Sequence, residues 1–122
     1  MSKRILVADD SETVRRSVHS YLTRQDFDVC GEAIDGEDAI EKAWELKPDL
    51  ILLDVAMPRT NGIVVASVLK DMLPNVRIVL FTMYSEAVAR AFPHKGLAVD
   101  AVIAKAEGMG KLADCVRSLL RS

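Results

Sequence analysis

Short apolar segments recur along the chain and alternate with longer segments in which apolar residues fall at helical spacing. The most continuous of them, Leu50–Leu53, leads directly into Asp54. An unbroken apolar run of this length is typical of a strand buried on both faces of a sheet. Pro48 and Pro58 limit the length of this strand. We therefore predict Asp54 at the carboxyl end of a central strand, the edge where open α/β sheets bind ligands.

The other segments continue the same alternation. Four further strands are predicted at Ile5–Ala8, Phe27–Ala33, Arg77–Phe81 and Val99–Ala104. Helices are predicted after an N-cap at Ser11, over Glu37–Leu46, Gly62–Met72 and Ser85–Phe92, and after Gly108-Met109-Gly110. Strand and helix alternate five times, which predicts an α/β fold: a flavodoxin-like, doubly wound (βα)5 parallel sheet of strand order 2-1-3-4-5 with helices on both faces.

Local composition adds detail to three of these segments. Phe27–Ala33 contains two acidic residues, which suits a strand at a sheet edge. Within Glu37–Leu46 the spacing places Ala39, Ile40, Ala43 and Trp44 on the inward side of the helix. The residues between Ala56 and Asn61 are predicted to form a loop.

Bulk composition narrows the class of protein. The length of 122 residues predicts one domain over 1–122, and a hydrophobic content of 50% suits a globular core. The net charge of −2 provides no general attraction to nucleic acid or anionic lipid. With no membrane-length apolar run and no signal-peptide core, Cys30 and Cys115 are expected to be reduced thiols in a cytoplasmic protein.

Polar residues follow four of the five predicted strands. They are Asp9, Asp10, Asp54, Thr82 and Lys105. Taken singly, each has an ordinary role as a cap, turn or surface residue. The predicted strand order brings the three carboxylates together at one edge, where their mutual repulsion requires compensation. An oxygen-rich, histidine-free cluster suits a hard cation such as Mg²⁺, and Lys105 and Thr82 can bind an anion.

At these residues the chain resembles the receiver domain of response regulators in bacterial two-component systems, over its whole length. The matching elements are Asp9-Asp10, the run Asp54-x-x-Met57-Pro58-x-x-x-Gly62, Thr82 and Lys105. The resemblance implies that Asp54 accepts a phosphoryl group from a sensor histidine kinase or phosphotransfer protein. It also implies that Thr82 and Lys105 contact the phosphoryl oxygens. The implied ligands of Mg²⁺, or of Mn²⁺ in its place, are Asp10, Asp54 and the carbonyl of Ala56, which bind directly, and Asp9, which binds through water.

The resemblance also implies a regulatory rather than an enzymatic role. Such a phosphorelay domain assists only its own phosphotransfer and dephosphorylation. Its output surface would be the face formed by the fourth predicted helix, the fifth strand and the fifth helix. That face would act on an output protein or domain that the sequence does not identify, either as a monomer or as a phosphorylation-linked dimer. No direct binding to nucleic acid or membrane is expected of this domain.

Several positions depart from the family pattern. Lys105 is usually followed by proline in a cis bond, but Ala106 stands here, and a cis bond before a residue other than proline costs about 2.5–4 kcal/mol. The bond is therefore expected to be trans. Val102 replaces the usual switch aromatic, and Met83 replaces a usually small residue. Tyr84 is a candidate substitute for the aromatic.

Two other functions are considered beside the receiver. A phosphatase of the haloacid dehalogenase type also forms an aspartyl phosphate, but it needs a second aspartate two residues after the nucleophile, where Ala56 stands. A receiver-like interaction module that is never phosphorylated is compatible with Met83 and Ala106, whereas the intact acidic cluster opposes it. His19 and His94 are predicted to be surface residues away from the cluster.

Overall fold

A parallel sheet of five strands forms the centre of the molecule. The computed structural model describes residues 3–57, 60–83 and 99–121. The strands, in chain order, are β1 (Arg4–Ala8), β2 (Asp28–Ala33), β3 (Leu50–Leu53), β4 (Ala56–Met57), β5 (Thr60–Asn61), β6 (Arg77–Thr82) and β7 (Ala101–Ala104). The sheet has the order β2-β1-β3-β6-β7. Because β6 and β7 are the fourth and fifth predicted strands, the flavodoxin-like order 2-1-3-4-5 is confirmed, with β2 at an edge as predicted.

Four α-helices and one short 3₁₀ helix are described. They are α1 (Glu12–Arg24), α2 (Gly36–Leu46), α3 (Gly62–Met72), the 3₁₀ helix Lys105–Glu107, and α4 (Met109–Leu120). Ser11 caps α1 as predicted, because the Val14 N–H donates to its hydroxyl oxygen over 3.3 Å. The helix predicted over Ser85–Phe92 lies outside the described residues. The final helix, α4, begins at Met109, two residues earlier than predicted.

The sheet is buried on both faces, which explains the unbroken apolar runs in its central strands. One face packs against α2 and α3, and the other packs against α1 and α4. Successive strand residues alternate between the two layers: Leu6, Ala8, Ile51 and Leu53 belong to the first, and Ile5, Val7, Leu50 and Leu52 to the second. This alternation leaves the polar residues that follow the strands at the carboxyl edge of the sheet.

The prediction for Trp44 is wrong. Its side chain is 58% exposed, and the Lys47 Nζ lies 3.2 Å from the centroid of its ring. The buried positions of α2 are Gly36, Ala39 and Ala43, whose small size lets the helix lie close to the sheet. One residue further along, the helix has turned by about 100°, so the indole projects away from the core.

The segment between Ala56 and Asn61 is more regular than the predicted loop. β4 and β5 pair as a short antiparallel ladder, Ala56 opposite Asn61 and Met57 opposite Thr60. The ladder packs against α2, where a Cβ at Gly36 would lie 2.5 Å from the Thr60 Cγ2. This contact requires glycine at position 36 and places the segment that follows Asp54 against the helix.

Cys30 and Cys115 are both free thiols, as the composition suggested. Across residues 3–57, 60–83 and 99–121, no helix combines the length and the apolar character needed to cross a bilayer.

Candidate functional site

Asp54 lies immediately beyond the end of β3 and is almost completely buried. Its N–H donates to the Ala8 carbonyl over 3.0 Å and so extends the pairing between β3 and β1. Its carboxylate Oδ1 accepts the Ala56 N–H at 3.2 Å. A Cβ at Gly62 would lie 2.7 Å from the Asp54 carbonyl oxygen, so only glycine allows α3 to begin this close to the acid. The carboxylate is therefore held in a fixed position at the carboxyl edge.

The acidic pair lies beside Asp54 at the end of β1. Asp9 is buried, and its Oδ1 accepts the Ser11 N–H at 2.9 Å, whereas Asp10 is exposed. One carboxylate oxygen from each of Asp9, Asp10 and Asp54 lies within 4.8 Å of the other two. The predicted convergence of these three residues is therefore present in the structure.

Lys105 reaches the same cluster from the end of β7. Its Nζ lies 2.7 Å from Asp9 Oδ2 and 3.6 Å from Asp54 Oδ2, and its side chain is 15% exposed. The ammonium is thus closer to Asp9 than to Asp54. One lysine faces three carboxylates, so the cluster retains an excess of negative charge.

The electrostatic state of Asp54 reflects this excess. Burial raises the pKa of its carboxyl group, the negative charge of Asp9 raises that pKa further, and Lys105 lowers it only in part. A divalent cation would supply the missing positive charge. Three carboxylates with closely spaced oxygens fit Mg²⁺ by the chemistry of the donor set, and the part of the chain that the structure describes adds no nitrogen or sulfur ligand to them.

Thr82 lies at the carboxyl edge on β6, the strand next to β3 on the side opposite β1. It is the last residue of β6 and is fully buried, and it lies opposite Ala104 in the pairing of β6 with β7. Lys105 follows Ala104 directly, so the hydroxyl and the ammonium come from neighbouring strand ends. The carbonyl of Ala56 belongs to the segment that follows Asp54, and Ala56 itself is exposed.

The positions that depart from the family pattern have clear surroundings where they are described. No cis peptide bond occurs in the described residues, so the Lys105–Ala106 bond is trans, as expected. The chain instead turns through the 3₁₀ helix, where the Ala104 N–H donates to Glu107 Oε2 over 2.9 Å. Val102 packs partly buried against the layer of α2 and α3, and Met83 is 81% exposed. Tyr84 and His94 lie outside the described residues.

The residue that contacts the cluster without having been predicted is Arg15. Arg15 lies on α1, and its side chain is only 12% exposed. It donates to the carbonyl oxygen of Asp9 and to the carboxylate of Glu32. The available signal was Glu32, an acid within the edge strand, because a partly buried carboxylate there needs a cationic partner. His19 lies on α1, partly exposed, and its Nδ1 is 2.7 Å from Glu32 Oε2.

Comparison with known proteins agrees with this geometry. The family model described as the response regulator receiver domain matches residues 5–117. The response regulator protein VraR of Staphylococcus saprophyticus is 42% identical over 120 residues, which are 96% of this chain and 56% of that protein. VraR of Staphylococcus aureus is 39% identical over 124 residues, 99% of this chain and 58% of that protein. The chain thus spans somewhat more than half the length of these relatives.

Solved structures give the same result. The response regulator TrrA of Thermotoga maritima, in complex with Mg²⁺ and beryllium fluoride, is 30% identical with a TM-score of 0.86 and covers 97% of this chain and 99% of its own. The activated receiver domain DrrB is 26% identical with a TM-score of 0.82, and the match covers 100% of both chains. The resemblance seen in the motifs is confirmed: this chain belongs to the response regulator receiver-domain family of bacterial two-component systems.

Proposed function

We propose that Asp54 accepts a phosphoryl group from a phosphohistidine on a partner kinase or phosphotransfer protein, within a single receiver domain spanning residues 1–122. An oxygen of the carboxylate forms the new bond to phosphorus while the N–P bond of the donor breaks and leaves its electron pair on the imidazole. The observation that supports this role is the position of Asp54: buried, fixed by main-chain hydrogen bonds, and grouped with two acids and a lysine.

The surrounding residues would each take part of the developing charge. Lys105 would turn from Asp9 toward the incoming phosphoryl oxygens, since its Nζ is already 3.6 Å from Asp54. Thr82 would donate its hydroxyl to the same group. Asp9, Asp10, Asp54 and the carbonyl of Ala56 would hold Mg²⁺, with Mn²⁺ as a substitute. When bound, the cation would neutralise charge on the phosphoryl oxygens.

The signal would leave through the elements that end at Thr82 and Lys105. Both residues lie at strand ends next to each other, so drawing their side chains toward a phosphoryl group would bias β7 and α4. The helix predicted over Ser85–Phe92 would complete this output face. We propose that the domain acts in the cytoplasm on a separate output protein or domain and catalyses nothing beyond its own phosphotransfer and dephosphorylation.

The test is acid-labile labelling by a small phosphodonor in the presence of Mg²⁺. The Asp54→Asn variant should lose all labelling, because an amide is not a nucleophile toward phosphorus. Asp49→Asn is the matched control: it makes the same chemical change at the opposite end of β3, where Asp49 is exposed and accepts the Arg4 N–H. Labelling that persists in Asp54→Asn, or that disappears in Asp49→Asn with the fold intact, would contradict the proposal.

A further inference from the structure

A partly buried charge pair, Arg15 with Glu32, lies directly behind the acidic turn and has no part in the proposed phosphotransfer. Arg15 Nε donates to Glu32 Oε1 over 3.1 Å, and the same guanidinium donates through NH1 to the Asp9 carbonyl oxygen over 2.8 Å. Its side chain is 12% exposed. Burying a guanidinium costs free energy unless its donors are satisfied, and here they are satisfied by an acid and by the main chain of the cluster.

Glu32 is held as firmly as Arg15. Its second oxygen, Oε2, lies 2.7 Å from His19 Nδ1, and its main-chain carbonyl accepts Lys42 Nζ. Burial raises the pKa of Glu32, but the hydrogen bonds from His19 and Arg15 outweigh it and leave that pKa below its usual value. The acid is therefore ionised at neutral pH and aligns the guanidinium from the edge strand β2.

The Asp9 carbonyl is the group through which this pair affects the cluster. It belongs to the peptide that joins Asp9 to Asp10, so its direction determines where Asp10 begins. The other polar groups of Asp9 are also occupied: its N–H donates to the Ala33 carbonyl, Oδ1 accepts from Ser11, and Oδ2 lies beside Lys105. Arg15 restrains the Asp9–Asp10 peptide, to which none of these three contacts is made.

We propose that Arg15 is a positioning residue for the divalent-cation site, acting through the Asp9 carbonyl, with Glu32 aligning its guanidinium. This inference rests on the proposed function, because it assumes that Asp9 and Asp10 hold the cation. The planar fork of arginine can donate along two directions at once, whereas the single ammonium of lysine cannot reproduce both contacts. Partners behind the ligands of a metal typically change its affinity by about 10–100-fold when removed.

The decisive measurement is the Mg²⁺ dissociation constant of the whole chain, obtained by isothermal titration with the metal alone at pH 7. Arg15→Met should weaken Mg²⁺ binding by about tenfold, and Arg15→Lys should restore little of it. Arg16→Met is the matched control: the neighbouring arginine is exposed and pairs with Glu12, four residues earlier on the same helix. That variant should bind Mg²⁺ as the wild type does.

A second readout does not depend on metal. The Ser11 amide donates to Asp9 Oδ1, so its hydrogen exchange reports the order of the turn. Exchange at Ser11 should accelerate in Arg15→Met and in Glu32→Gln, and not in Arg16→Met. Glu32→Gln keeps an acceptor for Arg15 and serves if Arg15→Met fails to fold.

The outcomes separate the two proposals. Wild-type protein that binds Mg²⁺, together with Arg15 and Glu32 variants that bind it equally well, would overturn the positioning role and leave phosphoryl acceptance intact. Wild-type protein that binds no Mg²⁺ would contradict the cation site, and with it both proposals. Weakened binding in the Arg15 variants with unchanged binding in Arg16→Met supports the inference.

Discussion

Two aspartates with cationic neighbours, Asp54 buried and Asp100 partly buried, lie beyond opposite ends of the strands, and they differ in how their charge is balanced. Asp100, just before β7, accepts the Ile78 N–H at 2.8 Å and lies 3.3 Å from Lys70 Nζ and 3.4 Å from Arg77 NH1. Asp54, just after β3, shares Lys105 with Asp9 and has a third acid, Asp10, beside it. Asp100 thus has two cations for one negative charge.

This difference separates a structural acid from a reactive one. Around Asp100 the charges and hydrogen bonds are complete, so the carboxylate joins α3, β6 and the start of β7 without needing a ligand. Around Asp54 the negative charge exceeds the positive charge, and burial and Asp9 raise the pKa of Asp54. The balance of charge around an acid, more than its burial, therefore indicates where a cation or phosphoryl group will bind.

The largest expected effect is that of removing divalent cation. Excess chelator should reduce labelling of Asp54 by at least about a hundredfold, because the incoming phosphoryl group is anionic and meets three carboxylates that one lysine compensates only in part. Mg²⁺ titration followed by amide chemical shifts should move the signals of Asp9, Asp10 and Asp54. Undiminished labelling in chelator, or shifts as large at Asp100, would remove the distinction between the two acids.

The second largest expected effect is the loss of stability when the charge of Asp100 is removed. Asp100→Asn should lower the free energy of unfolding by about 2 kcal/mol, because Lys70 and Arg77 lose their shared partner. Urea unfolding at pH 7 measures the change. Asp71→Asn, an exposed acid on α3, is the control and should be nearly neutral. A loss in the control as large as that in Asp100→Asn would point to a general charge effect.

The same substitution at Asp54 should have the opposite sign. Without divalent cation at pH 7, the free energy of unfolding of Asp54→Asn should be about 1 kcal/mol higher than that of the wild type, because the substitution relieves repulsion in the cluster. Folding raises the pKa of Asp54, so the ionised carboxylate lowers the free energy of unfolding of the wild type at neutral pH. This loss of stability disappears as pH falls toward the usual value of 3.8. A gap that widened on acidification would contradict this assignment.

Glu32 should give the smallest effect and the reverse dependence on pH. Its pKa is lowered on folding, so its contribution to stability is present above the usual value of 4.5 and is lost as pH falls below it. At pH 7, Glu32→Gln should cost about 0.5 kcal/mol. Unfolding curves at pH 7 and 5.5 should give the same cost, and a curve at about pH 3.5 should give a smaller one. A cost independent of pH would mean that the carboxylate acts by shape and not by charge.

Most of the fold could be predicted because it depends on local patterns. Apolar runs identified the five strands of the sheet, and helical spacing identified the four helices described here. Errors arose where the outcome depended on a neighbouring element. Trp44 satisfied the helical pattern, but α2 lies too close to the sheet for an indole, and the pairing of Ala56 with Asn61 depends on packing against α2.

For the candidate site, the sequence by itself determined which residues meet. Strand order and strand ends are enough to bring Asp9, Asp10 and Asp54 to one edge, because parallel strands all end on the same side. Only the tertiary structure decided the contacts made there. Lys105 lies 96 residues from Asp9 in the chain yet pairs with it more closely than with Asp54. Arg15 points inward because it pairs with the carboxylate of Glu32 on the edge strand. Contacts of this kind join distant segments, so the spacing of apolar residues along the sequence does not predict them.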